Sequence, residues 1–339
     1  MHSPQDTYHP DRPRLAIVVP CHNEHEVLRC SAATLLALLE QLRLEGLVAD
    51  TSYLCLVDDG STDGTWPIIR DLHAAHPDLL GLKLTRNFGH QGAVLAGMLE
   101  CEADAVVTID ADLQDDEACI VSMVRRYHEG HDIVLGVRDD RSADSAFKRT
   151  SAHSYYRLLR LLGVDVVPHH ADCRLLSRRA IEELRGYPEV NLFLRGIIPM
   201  LGLRSSTVRY SRRRRTAGAS KYRPRKMLSL AWEGITSFSV APLRLVAVLG
   251  VLIALGSLGV TTWALMVRLA YGTAVPGWAS TVIPMYFMGG VQILCLGVIG
   301  EYVGKIYLES KRRPRFSIEA QLEPWGEVQR AHARQTPLP

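Results

Sequence analysis

The chain has 339 residues, enough for one large globular domain and an additional segment. A net charge of +3 at pH 7 is too small to indicate a nucleic-acid-binding protein. Seven scattered cysteines contain no CxxC pair and no zinc-type spacing, which favours reduced thiols in the cytosol. Residues 1–13 form a polar tail without the apolar stretch of a signal peptide, so we expect the main domain to stay on the cytosolic side.

Short apolar runs alternate with helical patterns along the first part of the chain. The predicted strands are Leu15–Pro20, Tyr53–Asp58, Leu80–Leu84, Ala105–Ile109 and Ile133–Val137. The predicted helices are Val27–Leu42, Thr65–His76, Gln91–Glu100 and Glu117–Glu129. This alternation predicts an α/β domain with a mainly parallel sheet, whose ligands bind beyond the carboxyl ends of the strands. Polar residues follow several of these strands: Asn23, Glu24, Asp58, Asp59, Asp110, Asp112 and Arg138.

The pattern is weaker after Arg141. We expect helices at Ala146–Leu162, Leu175–Leu184 and Leu192–Leu201, followed by a basic loop at Ser211–Lys221. We expect residues 223–240 to form an amphipathic helix that lies in the membrane interface.

Two long apolar stretches follow, at residues 245–267 and 278–303, and each is long enough to cross a membrane. Basic clusters precede the first stretch and follow the second, whereas the loop between them carries only Arg268. Positively charged flanks usually remain in the cytosol. The sequence therefore predicts a two-helix hairpin in the plasma membrane, with residues 304–339 as a cytosolic tail.

Two acidic motifs stand at strand ends. Asp110 and Asp112 are two residues apart, so on an extended backbone their carboxylates point to the same side and suit Mg²⁺ or Mn²⁺. Asp58 and Asp59 can accept hydrogen bonds from a nucleoside, although the same residues also suit a plain turn with a helix cap. A P-loop and a GxGxxG fingerprint are both missing from the sequence. His90 and His22 lack metal-type spacing and are expected at most to line a pocket.

Several motifs occur together in a recognisable order. They are VVPCHNE at Val18–Glu24, VDDGSTDGT at Val57–Thr65, NFGHQGA at Asn87–Ala93, DADLQDD at Asp110–Asp116, FLRG at Phe193–Gly196, AGASKY at Ala217–Tyr222, and GEYVG at Gly300–Gly304 followed by Arg312–Pro314. Over roughly Arg14–Phe316 the chain resembles family 2 glycosyltransferases, and more closely the polyprenyl-phosphate branch with a two-helix membrane anchor.

The resemblance implies a GT-A fold and a metal-dependent, inverting transfer of a sugar from a nucleotide donor to a lipid phosphate. It assigns nucleotide binding to Pro20, Asn23, Glu24, Asp58, Asp59 and Asp110. It assigns the metal, Mg²⁺ or Mn²⁺, to Asp110, Asp112 and Gln114. The catalytic residues expected are Asp112, Arg138 and Asp172.

The acceptor phosphate is largely dianionic near neutrality because its second pKa is about 6, so it needs cations and alignment more than a general base. The expected cations are Arg195, Arg212, Arg215 and Lys221. Attraction to anionic lipids is an equally good explanation for Arg212–Arg215. Asp172 has an alternative structural role, as a salt bridge to Arg174 or as a local cap.

The resemblance favours UDP-glucose as donor and undecaprenyl phosphate as acceptor, for modification of a cell-envelope glycan such as lipopolysaccharide. UDP-N-acetylhexosamine, UDP-aminoarabinose and GDP-mannose are alternative donors, and self-association is expected from the relatives. A processive polysaccharide synthase would need a QxxRW motif and more membrane spans, and neither is present. An inactive membrane scaffold remains a rival, although it would have no use for the metal-binding carboxylates.

Overall fold

The computed structural model describes residues 9–138, 170–189, 194–210, 241–271 and 278–325. These residues belong to two compact units. The first unit contains the described residues up to 210 together with 314–325, and the second contains 241–271 and 278–313. The predicted helices at Ala146–Leu162 and 223–240 lie outside the described residues.

The first unit is built on one sheet. Its strands are β1 (Leu15–Cys21), β2 (Tyr53–Asp58), β3 (Leu79–Leu84), β4 (Ala105–Thr108), β5 (Ile133–Arg138), β6 (His170–Ser177), β7 (Ser205–Tyr210) and β8 (Ile318–Leu322). They are arranged in the order β7-β5-β6-β4-β1-β2-β3-β8. The neighbours β4, β1, β2 and β3 are parallel, as are β5 and β7, whereas β6 and β8 are antiparallel to their neighbours. The prediction of a mainly parallel sheet is thus confirmed.

Helices connect the strands and cover the sheet. They are α1 (Leu28–Leu44), α2 (Thr65–Ala75), α3 (His90–Glu100), α4 (Cys119–His128), α5 (Arg178–Arg185) and α6 (Leu194–Met200). The face of α1 that carries Leu28, Leu35 and Leu42 is fully buried in the core. A side chain at Gly97 of α3 would come within 2.3 Å of Val18, so this glycine lets α3 pack directly on β1. That close packing fixes the start of α3 beside the end of β1.

The predicted helix Leu175–Leu184 was wrong at its start. Leu175 and Leu176 are buried in β6, where they pair with β4 and β5. The helix begins only at Arg178, because the side chain of Ser177 caps it by accepting a hydrogen bond from the N–H of Ala180. The leucines therefore mark the end of a strand followed by a short helix.

The C-terminal segment differs from the predicted tail at 304–339. Residues 318–322 form β8, which extends the sheet along β3. Lys83 pairs with Glu319 at 2.7 Å, and the rings of Trp325 and Tyr53 make a T-shaped contact with centroids 5.9 Å apart. Two of the five residues of β8 are polar, and a strand this short gives too little apolar pattern to be predicted from the sequence.

The second unit consists of two long helices in contact, α7 (Ala241–Tyr271) and α8 (Trp278–Ser310). They contain the apolar stretches predicted at 245–267 and 278–303, and α8 continues beyond the predicted boundary. Within the described residues, Phe287–Ser310 is the one stretch long and apolar enough to cross a membrane, and Pro242–Ile253 is a shorter apolar segment. The first unit is thus joined in sequence to a segment that contains one candidate membrane span.

Candidate active site

A cleft of about 310 Å³ lies at the carboxyl ends of the parallel strands. It is formed by the end of β1, the loops that follow β2, β3 and β4, and the start of α3. Its lining residues are Pro20, Cys21, His22, Glu24, Asp59, Asn87, Gly89, His90, Ala93, Asp110, Ala111 and Asp112. The cleft therefore lies where an α/β sheet usually binds its ligand.

The two carboxylates that end β2 have different partners. Asp58 is fully buried, and its Oδ1 accepts a hydrogen bond from the N–H of Ser61 at 3.1 Å. Burial raises the pKa of Asp58. Its Oδ2 has no hydrogen-bond partner among the residues that the structure describes. Asp59 is also buried, but its Oδ1 accepts from the backbone N–H of Phe88 at 2.7 Å, so one of its oxygens holds the loop that leads into α3.

The loop after β1 is attached to the loop after β2. Asn23 adopts a left-handed backbone conformation with φ of 57°, and its side-chain oxygen accepts from the N–H of Thr62 at 2.9 Å. The N–H of Glu24 donates to the hydroxyl of Thr65 at 3.0 Å. Pro20 and Glu24 line the cleft, whereas Asn23 does not appear in its lining. Asn23 thus supports the shape of the loops at this end of the cleft.

The acidic motif after β4 lies at the cleft. Asp110 and Asp112 both line it, and Gln114 is buried with its N–H donating to Asp112 Oδ1 at 3.3 Å. His90 Nε2 lies 2.9 Å from Asp110 Oδ1. Burial, reinforced by the negative charge of Asp172, raises the pKa of Asp110 to about 6.

A group of possible metal ligands lies beside this motif. One ligand atom each from His90, Asp110 and Asp172 lies within 4.8 Å of the other two. Carboxylate oxygens suit Mg²⁺ or Mn²⁺, so the donor set fits the cation expected from the sequence. His90 and Asp172 were not predicted as ligands, because they are far from Asp110 in the sequence and meet it only through the fold.

Asp172, on β6, lies between two arginines. Its Oδ1 accepts from Arg174 Nη2 at 2.6 Å, and its Oδ2 accepts from Arg195 Nη2 at 2.8 Å. Burial alone would raise the pKa of Asp172, but the two guanidinium groups outweigh that effect and hold the pKa well below its usual range. The salt bridge to Arg174, one of the roles considered for Asp172, is therefore present, and the pairing with Arg195 is added to it.

Four further predicted site residues, Arg138, Arg212, Arg215 and Lys221, lie at the edge of the described residues or outside them. Arg138 ends β5, where its backbone is in register with Tyr210, and its side chain is not among the described groups. Arg212, Arg215 and Lys221 lie outside the described residues. Among the predicted acceptor cations, Arg195 is thus the one whose contacts are defined.

Comparison with known proteins gives the family. Residues 16–185, half of the chain, match the model of glycosyl transferase family 2. The chain belongs to this family. As a family 2 glycosyltransferase it is an enzyme, which confirms the prediction, and its cleft lies within the matched segment.

Relatives match over almost the whole length. The chain is 46% identical to the uncharacterized glycosyltransferase YkoT of Bacillus subtilis over 313 residues, 92% of this chain and 93% of that protein. It is 37% identical to the bactoprenol glucosyl transferase of Shigella phage SfX over 308 residues, 91% of this chain and 99% of the phage protein. Among solved structures, a mannosyltransferase from Pyrobaculum calidifontis in complex with GDP-Man and Mn²⁺ is 18% identical, with a TM-score of 0.44 and coverage of 89% of each chain.

Proposed function

We propose that this enzyme transfers glucose from UDP-glucose to undecaprenyl phosphate, with inversion at the sugar carbon, and supplies the lipid-linked sugar for modification of a cell-envelope glycan. The observation that carries the proposal is the 37% identity to a bactoprenol glucosyl transferase across 99% of that protein. The acidic cleft at the strand ends supports it, because it offers carboxylates suited to a metal–diphosphate group.

The donor would bind in the cleft with its nucleoside toward the ends of β1 and β2. We assign Pro20, Glu24 and Asp58 to the nucleoside, and Asn23 and Asp59 to the loops around it, which their hydrogen bonds hold together. The Oδ2 of buried Asp58 has no hydrogen-bond partner among the described residues, so a nucleoside N–H that reached it would offset its desolvation.

The diphosphate would lie over the acidic motif. Asp110, Asp112 and Gln114 would hold Mg²⁺ or Mn²⁺ there, with His90 and Asp172 close to Asp110. When bound, the cation neutralises the charge that develops on the leaving diphosphate. Arg138 is proposed to assist from the end of β5.

The chemical step needs little proton transfer. An oxygen of the acceptor phosphate forms a bond to the anomeric carbon of the sugar as the bond from that carbon to the diphosphate breaks, and the nucleoside diphosphate leaves. Because the phosphate is already ionised, the protein's task is to align it and to compensate its charge. We assign that task to Arg195, with Arg212, Arg215 and Lys221.

The acceptor would arrive from the bilayer. The candidate span in α8 supports membrane association. We propose that α7 and α8 form the anchoring hairpin in the plasma membrane. The first unit, which holds the cleft and is called the catalytic unit below, would then lie in the cytosol. The basic residues that precede α7 and those that follow α8 favour this orientation.

The proposal is tested with membranes that contain the enzyme, undecaprenyl phosphate and radiolabelled nucleotide sugars. Label from UDP-glucose is expected in the extracted lipid fraction, in a form released by mild acid, and EDTA should prevent its appearance. Membranes with Asp112→Ala serve as the matched control. If the lipid fraction is labelled instead from UDP-N-acetylhexosamine, UDP-aminoarabinose or GDP-mannose, the proposed donor is wrong but the reaction class stands. If no donor gives lipid-linked label, the proposed reaction is contradicted.

A further inference from the structure

The carboxylate of Asp172 binds the guanidinium of Arg195 in the way that an anionic ligand would. Arg195 presents Nε to Asp172 Oδ1 at 3.3 Å and Nη2 to Oδ2 at 2.8 Å. Two parallel N–H donors facing two oxygens are the arrangement with which arginine also binds phosphate. The Arg195 side chain is 39% exposed, so an incoming anion can reach it from solvent.

Arg174 holds the same carboxylate from the buried side. The Arg174 side chain is 2% exposed, and its Nη2 donates to Asp172 Oδ1 at 2.6 Å. The hydroxyl of Thr108 donates to the backbone carbonyl of Asp172 at 2.6 Å and fixes the strand at this point. Asp172 is thus fastened through Oδ1 and its backbone, while Oδ2 is engaged by the more exposed arginine.

We propose that Asp172 is a built-in competitor for Arg195, which the phosphate monoester of the acceptor displaces, while Arg174 retains the displaced carboxylate beside Asp110. The proposal rests on the proposed function, because that function assigns Arg195 to the acceptor phosphate. A dianionic phosphate monoester binds a guanidinium more strongly than a carboxylate does, whereas a monoanionic phosphodiester has less charge with which to displace Asp172. The arrangement therefore selects the acceptor's phosphate monoester over the phosphodiesters of ordinary lipids.

The exchange also has a consequence for the neighbouring carboxylates. A ligand atom of Asp172 lies within 4.8 Å of ligand atoms of His90 and Asp110. When phosphate takes over Arg195, the oxygen that Asp172 releases becomes available beside Asp110. Acceptor binding is thereby coupled to the acidic group that faces the donor diphosphate.

The experiment measures phosphate binding by the detergent-solubilised full-length enzyme without donor. Inorganic phosphate and farnesyl phosphate are titrated by calorimetry into the wild type and into Asp172→Asn. We expect Asp172→Asn to lower the Kd of both probes on the order of tenfold, the scale of one partly desolvated charge pair. The additional change Arg195→Gln should remove that gain.

Glu182 provides a matched control. Its carboxylate also lies between two arginines, Arg178 and Arg185, but it does not belong to the group formed by His90, Asp110 and Asp172. Glu182→Gln releases two guanidinium groups in the same way and is expected to leave both Kd values unchanged. An equal gain in Glu182→Gln would show non-specific anion binding and would overturn the proposal.

The other outcomes are equally decisive. An unchanged or higher Kd in Asp172→Asn overturns the proposal, as does a gain that persists without Arg195. If Asp172→Asn fails to fold because Arg174 is left as an unpaired buried charge, Asp172→Asn combined with Arg174→Met removes that charge, and the same gain is expected. In the wild type, farnesyl phosphate is expected to bind more tightly than inorganic phosphate, and equal binding would assign Arg195 to free phosphate and overturn the lipid assignment. Because no sugar transfer is measured, a failure of the proposed reaction is seen separately in the radiolabel experiment.

Discussion

The backbone N–H of Phe88 donates to the buried carboxylate of Asp59 at 2.7 Å, which ties the loop before α3 to the end of β2. Asp59→Ala removes the acceptor and leaves the Phe88 N–H without it. We expect a loss of about 1–3 kcal/mol in the free energy of unfolding, together with weaker UDP binding. Urea denaturation and calorimetric titration with UDP measure the two effects. Asp59→Asn keeps an acceptor oxygen and should lose less stability, and a loss equal to that of alanine would contradict the role of this hydrogen bond.

The acidic motif is expected to act through a divalent cation. Asp112→Ala removes one carboxylate from the cleft and should lower kcat about 10²–10³-fold, the scale of a single electrostatic contribution to a transition state. Membrane insertion should be unaffected. The exposed carboxylate of Asp71 pairs with Arg29 on the surface, so Asp71→Asn is a control for the loss of one negative charge. Retained transfer in Asp112→Ala, or full activity in EDTA, would refute the metal assignment.

The raised pKa of Asp110, about 6, predicts how cation binding depends on pH. Below this value a proton must leave before the carboxylate can ligate, so the apparent affinity for Mn²⁺ should fall about tenfold per pH unit and become constant above it. Without cation, the folded state binds this proton more tightly than the unfolded state does. The contribution to stability is therefore present at acid pH and is lost as the pH rises through about 6.

Both effects can be measured on one pair of proteins. Mn²⁺ titrations and urea denaturation between pH 5 and pH 7 are compared for the wild type and Asp110→Asn. The variant cannot ionise at this position, so the slope near the pKa of Asp110 should disappear from its stability curve. An unchanged slope would assign the titration to another group.

The C-terminal strand is expected to stabilise the catalytic unit. Leu322 is half-buried and packs against the core beside Gly81, whereas the neighbouring Gln321 is exposed. Leu322→Ala should cost about 1–2 kcal/mol, less than a fully buried leucine. Gln321→Ala, on the opposite face of the strand, should change stability little. Urea denaturation of the two variants tests this difference, and equal effects would mean that β8 contributes nothing by packing.

The parallel centre of the fold could be predicted because its strands are fully buried and therefore continuously apolar. β1, β2 and β4 carry this signal, and the predicted bounds agree with the structure to within two residues. The strands that were missed have other patterns. β7 has only two buried residues, at Val208 and Tyr210, and β6 contains the buried charge of Arg174. A charged or mostly exposed strand gives no apolar run.

In the candidate site, too, some residues could be predicted from the local sequence, whereas contacts between distant segments could not. Asp110 and Asp112 could be predicted because two local facts place them, their spacing and the strand that precedes them. The contact of Asp172 with Arg195 joins residues on β6 and α6, and that of Asp110 with His90 joins the loop after β4 to α3. Such pairs depend on the order of strands in the sheet, which a single sequence does not contain. Asp59 was predicted to meet the nucleoside, and its bond to Phe88 depends on the same kind of contact between loops.

The pairing of β8 with β3 sets an order of events during synthesis. Ribosomes produce α7 and α8 before Ile318–Leu322, so the outer edge of β3 has no partner strand while the apolar helices are being made. An open edge is a site for incorrect association with other chains. The sheet can be completed only after α7 and α8 have been synthesised, so the edge of β3 is closed late in the synthesis of the chain.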